Sequence, residues 1–283
     1  MENSLFHLVV SCKDKPGIVA AISSFLSTEG ANIVNLHQHS TGLEAGIFFL
    51  RLEFFMQSEK DLEQIREKFN SKIAMKFSMD FRIRKVSELQ TVIPFVSRTD
   101  HTLMEVLWKW KKNEIACKIP FVISNHPDLE ESVKSFGLDF FHVPIDNANK
   151  PTAEKEIYEL VKDADLLILA RFMQVLSGNF LTRLNKPVIN IHHSFLPAFP
   201  GAKPYERAFE KGVKVIGATS HYVTEELDAG PIIEQDVERV THADNVKELK
   251  KIGREIERKV FSRAVQWHLE DRIIIKDNKC VVF

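Results

Sequence analysis

The 283 residues contain only three cysteines, Cys12, Cys117 and Cys280, far apart and odd in number. There is no CxxC pair and no zinc-type spacing, so a reducing interior fits better than secretion. No run approaches the roughly 18 apolar residues that a membrane span needs. The opening MENSLFHLVVSCKDKPG has no basic flank followed by a long apolar stretch and a small-residue cleavage site. The cytoplasm is therefore the expected location, without a membrane partner. Charge of one sign is not in surplus, since 38 Lys and Arg stand against 39 Asp and Glu. That weighs against a dedicated nucleic-acid binder, whose affinity rests on clustered positive charge. Internal repeats and long low-complexity segments are missing too.

What remains is the balance of a soluble globular chain, 44% hydrophobic and 27% charged, long enough for about two domains. In the first part, Leu5–Cys12 reads as a strand, and Asp14-Lys15-Pro16-Gly17 leads into a helix with Ile18, Val19, Ile22, Phe25 and Leu26 on its buried face. Gly30 is placed to end that helix. Two strands follow, Ala31–His39 and Gly46–Phe55. Ser58 with Asp61 resembles a capping pair for a helix carrying Leu62, Ile65 and Phe69. Met75, Phe77, Met79, Phe81 and Ile83 alternate with polar residues as in a strand. The order βαββαβ within about 80 residues is ferredoxin-like.

The DKPGIV turn and the EGANI start of the second strand resemble the ACT family of small regulatory modules. The resemblance implies side-by-side pairing across subunits, hence a homo-oligomer. It also implies an amino-acid effector near Asp14, Gly17 and Asn32. A merely structural or dimerising module is the alternative, because ferredoxin-like units host many functions. The boundaries read as 1–84 for this domain, 85–90 for a polar linker and 91–283 for a second domain.

Beyond the linker, the apolar runs Thr91–Val96, Ile119–Ile123, Phe141–Ile145 and Leu166–Ala170 alternate with amphipathic stretches such as Leu103–Trp110 and Ile157–Val161. That pattern predicts an α/β domain with a mostly parallel sheet, whose ligands bind beyond the carboxyl ends of the strands. Residues directly after a strand are the ones of interest. Asn190 and His192, two apart at a strand end, point to one side. His221 lies near the end of a strand Val215–Tyr222. Asp228 follows in a loop before Gly230-Pro231 and the strand Ile232–Val237. An amide that can bind an oxyanion, an imidazole that moves protons and a carboxylate that supports it are what acyl chemistry needs. A metal site built from His192, His193, His221 and Asp228 is disfavoured, because adjacent strand residues project to opposite faces.

NIHHSFLPAFPGAKPY followed by GATSHYVTEELDAGPIIEQ closely resembles the folate-dependent formyltransferase family. The matches are Asn190, His192, Leu196-Pro197-Ala198-Phe199, Thr219, His221, Asp228, Gly230-Pro231 and Gln235. LLILARFMQVLS, Leu166–Ser177, is similar to the family's pterin-binding strand and loop. The resemblance implies a Rossmann-like fold that binds folate, in keeping with SRTDHT rather than GxGxxG after the first strand. It implies Asn190, His192 and Asp228 as catalytic residues. Phe172, Met173, Gln174, Val175 and Leu176, with Gly230 and the loop from Thr224, would hold the substrate. Arg171 and Gln174 are places where this chain could depart from the transferases.

Ser97-Arg98-Thr99-Asp100-His101 has no glycine and carries an acid, unlike a turn that binds a phosphorylated acceptor. An ACT module ahead of this domain, with VSRTDHTL and the ending KCVVF, is similar to the deformylase branch, in which water replaces the acceptor. The implied reaction is hydrolysis of 10-formyltetrahydrofolate to tetrahydrofolate and formate, feeding purine biosynthesis and balancing one-carbon pools. The folate is then substrate, and no separate cofactor or metal is expected. The alternatives are formyl transfer to a small amine and a catalytically silent folate or amino-acid sensor.

Overall fold

The structure is a computed structural model that describes residues 3–42, 46–57, 62–198 and 204–283. The Ser58–Asp61 pair and Phe199 lie outside the described residues. The chain forms two compact units, Met1–Leu89 with Asp271–Lys276 and Val281–Phe283, and Gln90–Glu270 with Asp277–Cys280.

The first unit runs β1 (Asn3–Lys13), α1 (Ile18–Thr28), β2 (Asn32–Ser40), β3 (Ile47–Gln57), α2 (Leu62–Phe69), a π turn Asn70–Ala74, α3 (Met75–Phe77) and β4 (Asp80–Lys85). The sheet order is β2-β3-β1-β4, antiparallel throughout. This is the ferredoxin-like arrangement expected. Strand β1 is central, and its two faces are buried differently. Phe6, Leu8, Val10 and Cys12 join the core with Ile22, Phe25 and Phe69. Val9 on the other face packs with Phe49, Ile274, Val281 and Phe283. A run that is apolar on both faces, interrupted here by the buried His7 and Ser11, is the signature of a strand covered on both sides.

One predicted strand begins late. Met75–Phe77 is helical, and the strand starts only at Asp80. Ile65, Phe69, Ile73 and Phe77 are all buried and recur every fourth residue, so the helical stripe outlasts α2. Met75, counted as inward by alternation, is 70% exposed. Ser78, at φ 52, closes the helix in the left-handed region.

The second unit holds β5 (Val92–Val96), α4 (His101–Lys111), β6 (Phe121–Ser124), α5 (Glu130–Lys134), β7 (Asp139–His142), α6 (Lys150–Val161) and β8 (Leu166–Ala170). It continues with α7 (Gly178–Leu184), β9 (Val188–His192), α8 (Pro204–Lys211), β10 (Val215–Tyr222), β11 (Ile232–Arg239) and α9 (Val246–Leu269). The sheet order is β11-β10-β9-β8-β5-β6-β7. β5 to β9 are parallel, and β10 and β11 are antiparallel additions. The chain leaves β5 toward β7 and returns at β8 on the other side. The switch point between β5 and β8 is where such sheets bind ligands. A final hairpin pairs β12 (Ile273–Lys276) with β13 (Lys279–Val282). Among the described residues no helix is long and apolar enough to cross a membrane.

Candidate active site

The candidate site forms where β9 and β10 meet. The pairing sets Asn190 opposite His221 and His192 opposite Thr219. Alternation within each strand then gathers all four side chains on one face. Asp228 arrives from the loop after β10, its backbone at φ 56, a left-handed conformation that aspartate tolerates better than most residues. Its carboxylate lies 3.2 Å from His192 Nδ1 and 3.7 Å from His221 Nε2. Only the first distance is close to a hydrogen bond. That bond from His192 holds the Asp228 carboxyl below the usual carboxylate range against the opposing effect of partial burial. The group is therefore an ionised acceptor at neutral pH.

The two imidazoles differ in what their nitrogens do. His221 Nδ1 is 2.9 Å from the carbonyl of Tyr222. A carbonyl only accepts, so the proton is assigned to Nδ1, and Nε2 offers a lone pair. Burial pushes the His221 pKa down, which keeps this ring neutral. Asn190 Nδ2 donates to that lone pair at 3.3 Å. The contact sets the rotation of the amide, and its second N–H is available to an incoming oxygen. His192 uses Nδ1 on Asp228, while its buried Nε2 has no partner among the described residues. A buried, unpartnered imidazole nitrogen beside an oriented amide is an unusual thing to leave in an interior.

Thr219 and Gln235 build the wall. Thr219 Oγ1 donates to Ser194 O at 2.8 Å and accepts from Leu196 N at 3.0 Å. Gln235 Nε2 lies 2.9 Å from both Leu196 O and Thr219 Oγ1. These bonds hold the turn after His192 against β10. Glycine at 230 has a steric reason, since a Cβ there would come within 1.8 Å of the Tyr222 carbonyl oxygen, a backbone atom with nowhere to go.

The loop after β8 is pinned at two points and raised between them. Phe172 is buried edge-on against Phe95, with ring centroids 5.1 Å apart, and its carbonyl accepts from Ser97 Oγ. Leu176 is buried, and Ser177 caps α7. Between them Met173 and Val175 are 61% and 53% exposed, and Gln174 is half-buried. Arg171 and Met173 both have positive φ, 64 and 57. Two non-glycine residues in this region within three positions mark a backbone held by its surroundings.

His193 packs on Tyr205, centroids 6.0 Å apart. Burial and the charge of Arg171 push its pKa down to about 3. Among the described residues no group of three or more His, Cys, Asp or Glu could hold a metal ion.

The effector residues named from sequence are not gathered in one chain. Asp14 accepts from Ser40 Oγ, and Gly17 precedes α1 at φ 89. Asn32 opposes Phe55, whereas Ser40 opposes Phe48. Eight residues of strand, roughly 26 Å, separate Asn32 from the end of the sheet where Asp14 sits.

His221 is the position that sequence reasoning noticed without giving it a task. Its alternation with Thr219 was visible, but its partner Asn190 is 31 residues away.

Comparison with known proteins places these features in context. The formyl transferase family model matches residues 90–265, and the ACT domain model matches residues 6–74. A formyltetrahydrofolate deformylase of Bacillus subtilis is 49% identical over 98% of this chain and 93% of that protein. A solved formyltetrahydrofolate deformylase from Pseudomonas syringae superposes with a TM-score of 0.94 at 45% identity, covering 100% of this chain and 95% of that one. A glycinamide ribonucleotide transformylase from Symbiobacterium toebii gives 0.63 at 28% identity, covering 69% of this chain and 94% of its own.

Proposed function

The chain belongs to the formyltetrahydrofolate deformylase family, and from that membership and the site geometry we propose that it hydrolyses 10-formyltetrahydrofolate to tetrahydrofolate and formate at Asn190, His192 and Asp228. The observation that carries the mechanism is the buried, unpartnered Nε2 of His192, its other nitrogen tied to an ionised Asp228 and an oriented Asn190 amide on the same face. Water attacks the formyl carbon, and its proton passes to the Asp228–His192 pair. The free N–H of Asn190 meets the oxyanion. The bond to N10 breaks as N10 takes up the proton, and formate leaves.

The exposed segment between Phe172 and Leu176 and the backbone of Thr224–Asp228 receive the pterin. Gly230 keeps the second of these close to β10. The folate is the substrate, and no further cofactor enters this reading. The reaction supplies formate for purine synthesis and regenerates free tetrahydrofolate, in the cytoplasm. The first unit takes an amino-acid effector. Because Asp14 and Gly17 lie far from Asn32 in one chain, a ligand touching all three is shared between two copies. The exposed edge strand β2 is the surface available for pairing, which makes the protein a homo-oligomer.

The test is incubation of the purified protein with 10-formyltetrahydrofolate and no amine. Tetrahydrofolate and formate are expected in equal amounts. Products that form only once an amine is added would make it a transferase, and tight binding without turnover would make it a sensor.

A further inference from the structure

Arg171 stands directly after β8, beside the end of β9. The parallel register pairs Leu169 with Asn190, so two residues further on Arg171 is level with His192. Its backbone lies in the left-handed region at φ 64, which glycine enters freely and arginine does not. Its side chain carries a second cost. The guanidinium is mostly buried, with Nη1 3.4 Å from the Glu257 carboxylate, yet Nε and Nη1 have no hydrogen-bond partner among the described residues. His101 and Tyr205 already bond that carboxylate, so what Arg171 adds there is charge. Backbone strain and unmet hydrogen bonding in one residue beside the chemistry point to a task beyond packing.

A cavity of about 420 Å³ opens at this guanidinium. His193 is in its wall, with a ring centroid 5.3 Å from that of His192, so the chamber adjoins the proposed proton carrier. None of Phe172–Leu176 or Thr224–Gly230 lines it, which sets it apart from the surfaces assigned to the folate. Three cations, Arg171, Lys250 and Arg254, face two carboxylates, Glu206 and Glu257. Lys250 is matched by Glu206 at 2.7 Å. Arg254 reaches only the Lys250 carbonyl, at 3.4 Å, among the described residues. The chamber therefore carries a surplus of positive charge, and Arg171 is its member nearest His192 along the sheet.

Water and an amine are rival nucleophiles for a formyl carbon. Water arrives uncharged, whereas an alkylamine at neutral pH arrives as an ammonium, which a positive chamber repels. We propose that Arg171 is the specificity-determining residue that reserves the formyl group for water, its guanidinium keeping amines out of the chamber beside His192. The inference rests on the hydrolase reading above. Once that charge is gone, a deprotonated amine bonds through nitrogen to the formyl carbon, and the bond from that carbon to N10 breaks. The proton shed by the amine passes by way of His192 to N10, and the products are a formamide and tetrahydrofolate.

The experiment supplies 10-formyltetrahydrofolate together with glycinamide, a small primary amine, and measures formylglycinamide and formate by mass spectrometry. Wild type should release formate almost alone. Arg171→Gly suits the left-handed backbone, and Arg171→Met keeps the length of the side chain; both remove the charge. In each, formylglycinamide per formate should rise about tenfold, as expected for the loss of one nearby unit charge in a wet cavity. Arg171→Lys should stay at the wild-type ratio. A purely structural role would lower both products together, so an unchanged ratio in the Gly and Met variants, or an equal rise in the Lys variant, would overturn the proposal. If wild type releases neither product, the hydrolase reading fails, and glycinamide binding followed by NMR titration decides the role of Arg171 separately. A Kd about tenfold lower in Arg171→Met supports the exclusion of amines, and an equal Kd refutes it.

Discussion

At the scale of single residues, the site is a division of labour between two histidines on neighbouring strands. His192 engages Asp228 with Nδ1 and leaves its buried Nε2 without a partner among the described residues, the arrangement on which the proposed proton transfer rests. His221 gives Nδ1 to a carbonyl and Nε2 to Asn190, so it orients an amide. Asp228→Asn removes a charge and a proton acceptor from a loop outside the core. Turnover should fall by roughly 10²-fold or more while the circular dichroism spectrum is retained, and wild-type-like activity in a folded variant would end the assignment. Asn190→Ala removes one oxyanion donor and should lower kcat by roughly 10²–10³ with a smaller effect on KM. His221→Ala should cost less, and should cost nothing further once Asn190 is already Ala. Additive losses in that double-mutant cycle would show that His221 does not act through Asn190.

At the scale of elements, α9 carries a buried carboxylate near its middle. Glu257 is 1% exposed and accepts from His101 Nε2 at 2.9 Å and Tyr205 Oη at 2.7 Å, with Arg171 at 3.4 Å. Gly253, one turn earlier, makes the approach possible, since a Cβ there would lie 1.9 Å from the Tyr205 hydroxyl. Burial raises the Glu257 pKa, but the His101 bond, the Arg171 charge and the Tyr205 bond outweigh it and hold the group at about 2, against its ordinary 4.5. A depressed folded-state pKa means that this stabilisation is complete above 4.5 and is lost as pH falls through 2. Glu257→Gln should therefore have a lower Tm at pH 7, because its partners lose their counter-charge. Its Tm should also drop less than that of wild type between pH 4.5 and 2. Parallel Tm curves for the two proteins across that interval would show that Glu257 is not responsible for the acid sensitivity.

At the scale of the whole molecule, the regulatory reading requires more than one chain. Light scattering should report a homo-oligomer, and at least one amino acid should alter the hydrolysis rate. Its effect is limited to its difference in affinity between the two assembly states. Asn32→Ala should abolish that response while leaving the rate without effector unchanged. A monomeric protein whose rate no amino acid alters would leave the first unit a purely structural module. A simple cut near Ser87 is a poor substitute for this test. It would strip Ile274, Val281 and Phe283 of Val9 and Phe49, and aggregation from the exposed apolar surface would follow whatever the unit's role.

Local physics made much of this legible from sequence. Period-two spacing put Asn190 and His192 on one face, and the β-then-α alternation beyond Gln90 announced a parallel sheet. Chemistry-bearing residues clustered after strand ends because that is where an α/β sheet opens to ligands. The late start of β4 escaped, because alternating Met75, Phe77 and Met79 imitate a strand while a four-residue stripe continues the helix. What only the tertiary structure decided is the pairing between distant segments. The register of β9 on β10 made His221 the partner of Asn190. The register of β2 on β3 carried Asn32 away from Asp14. Packing divided the last residues, sending Ile274 and Phe283 to the first unit's sheet and Asn278 to the loop of Asp228. Turn chemistry and periodicity are properties of neighbours along the chain, whereas register is chosen by which apolar faces are buried together once the chain has closed on itself.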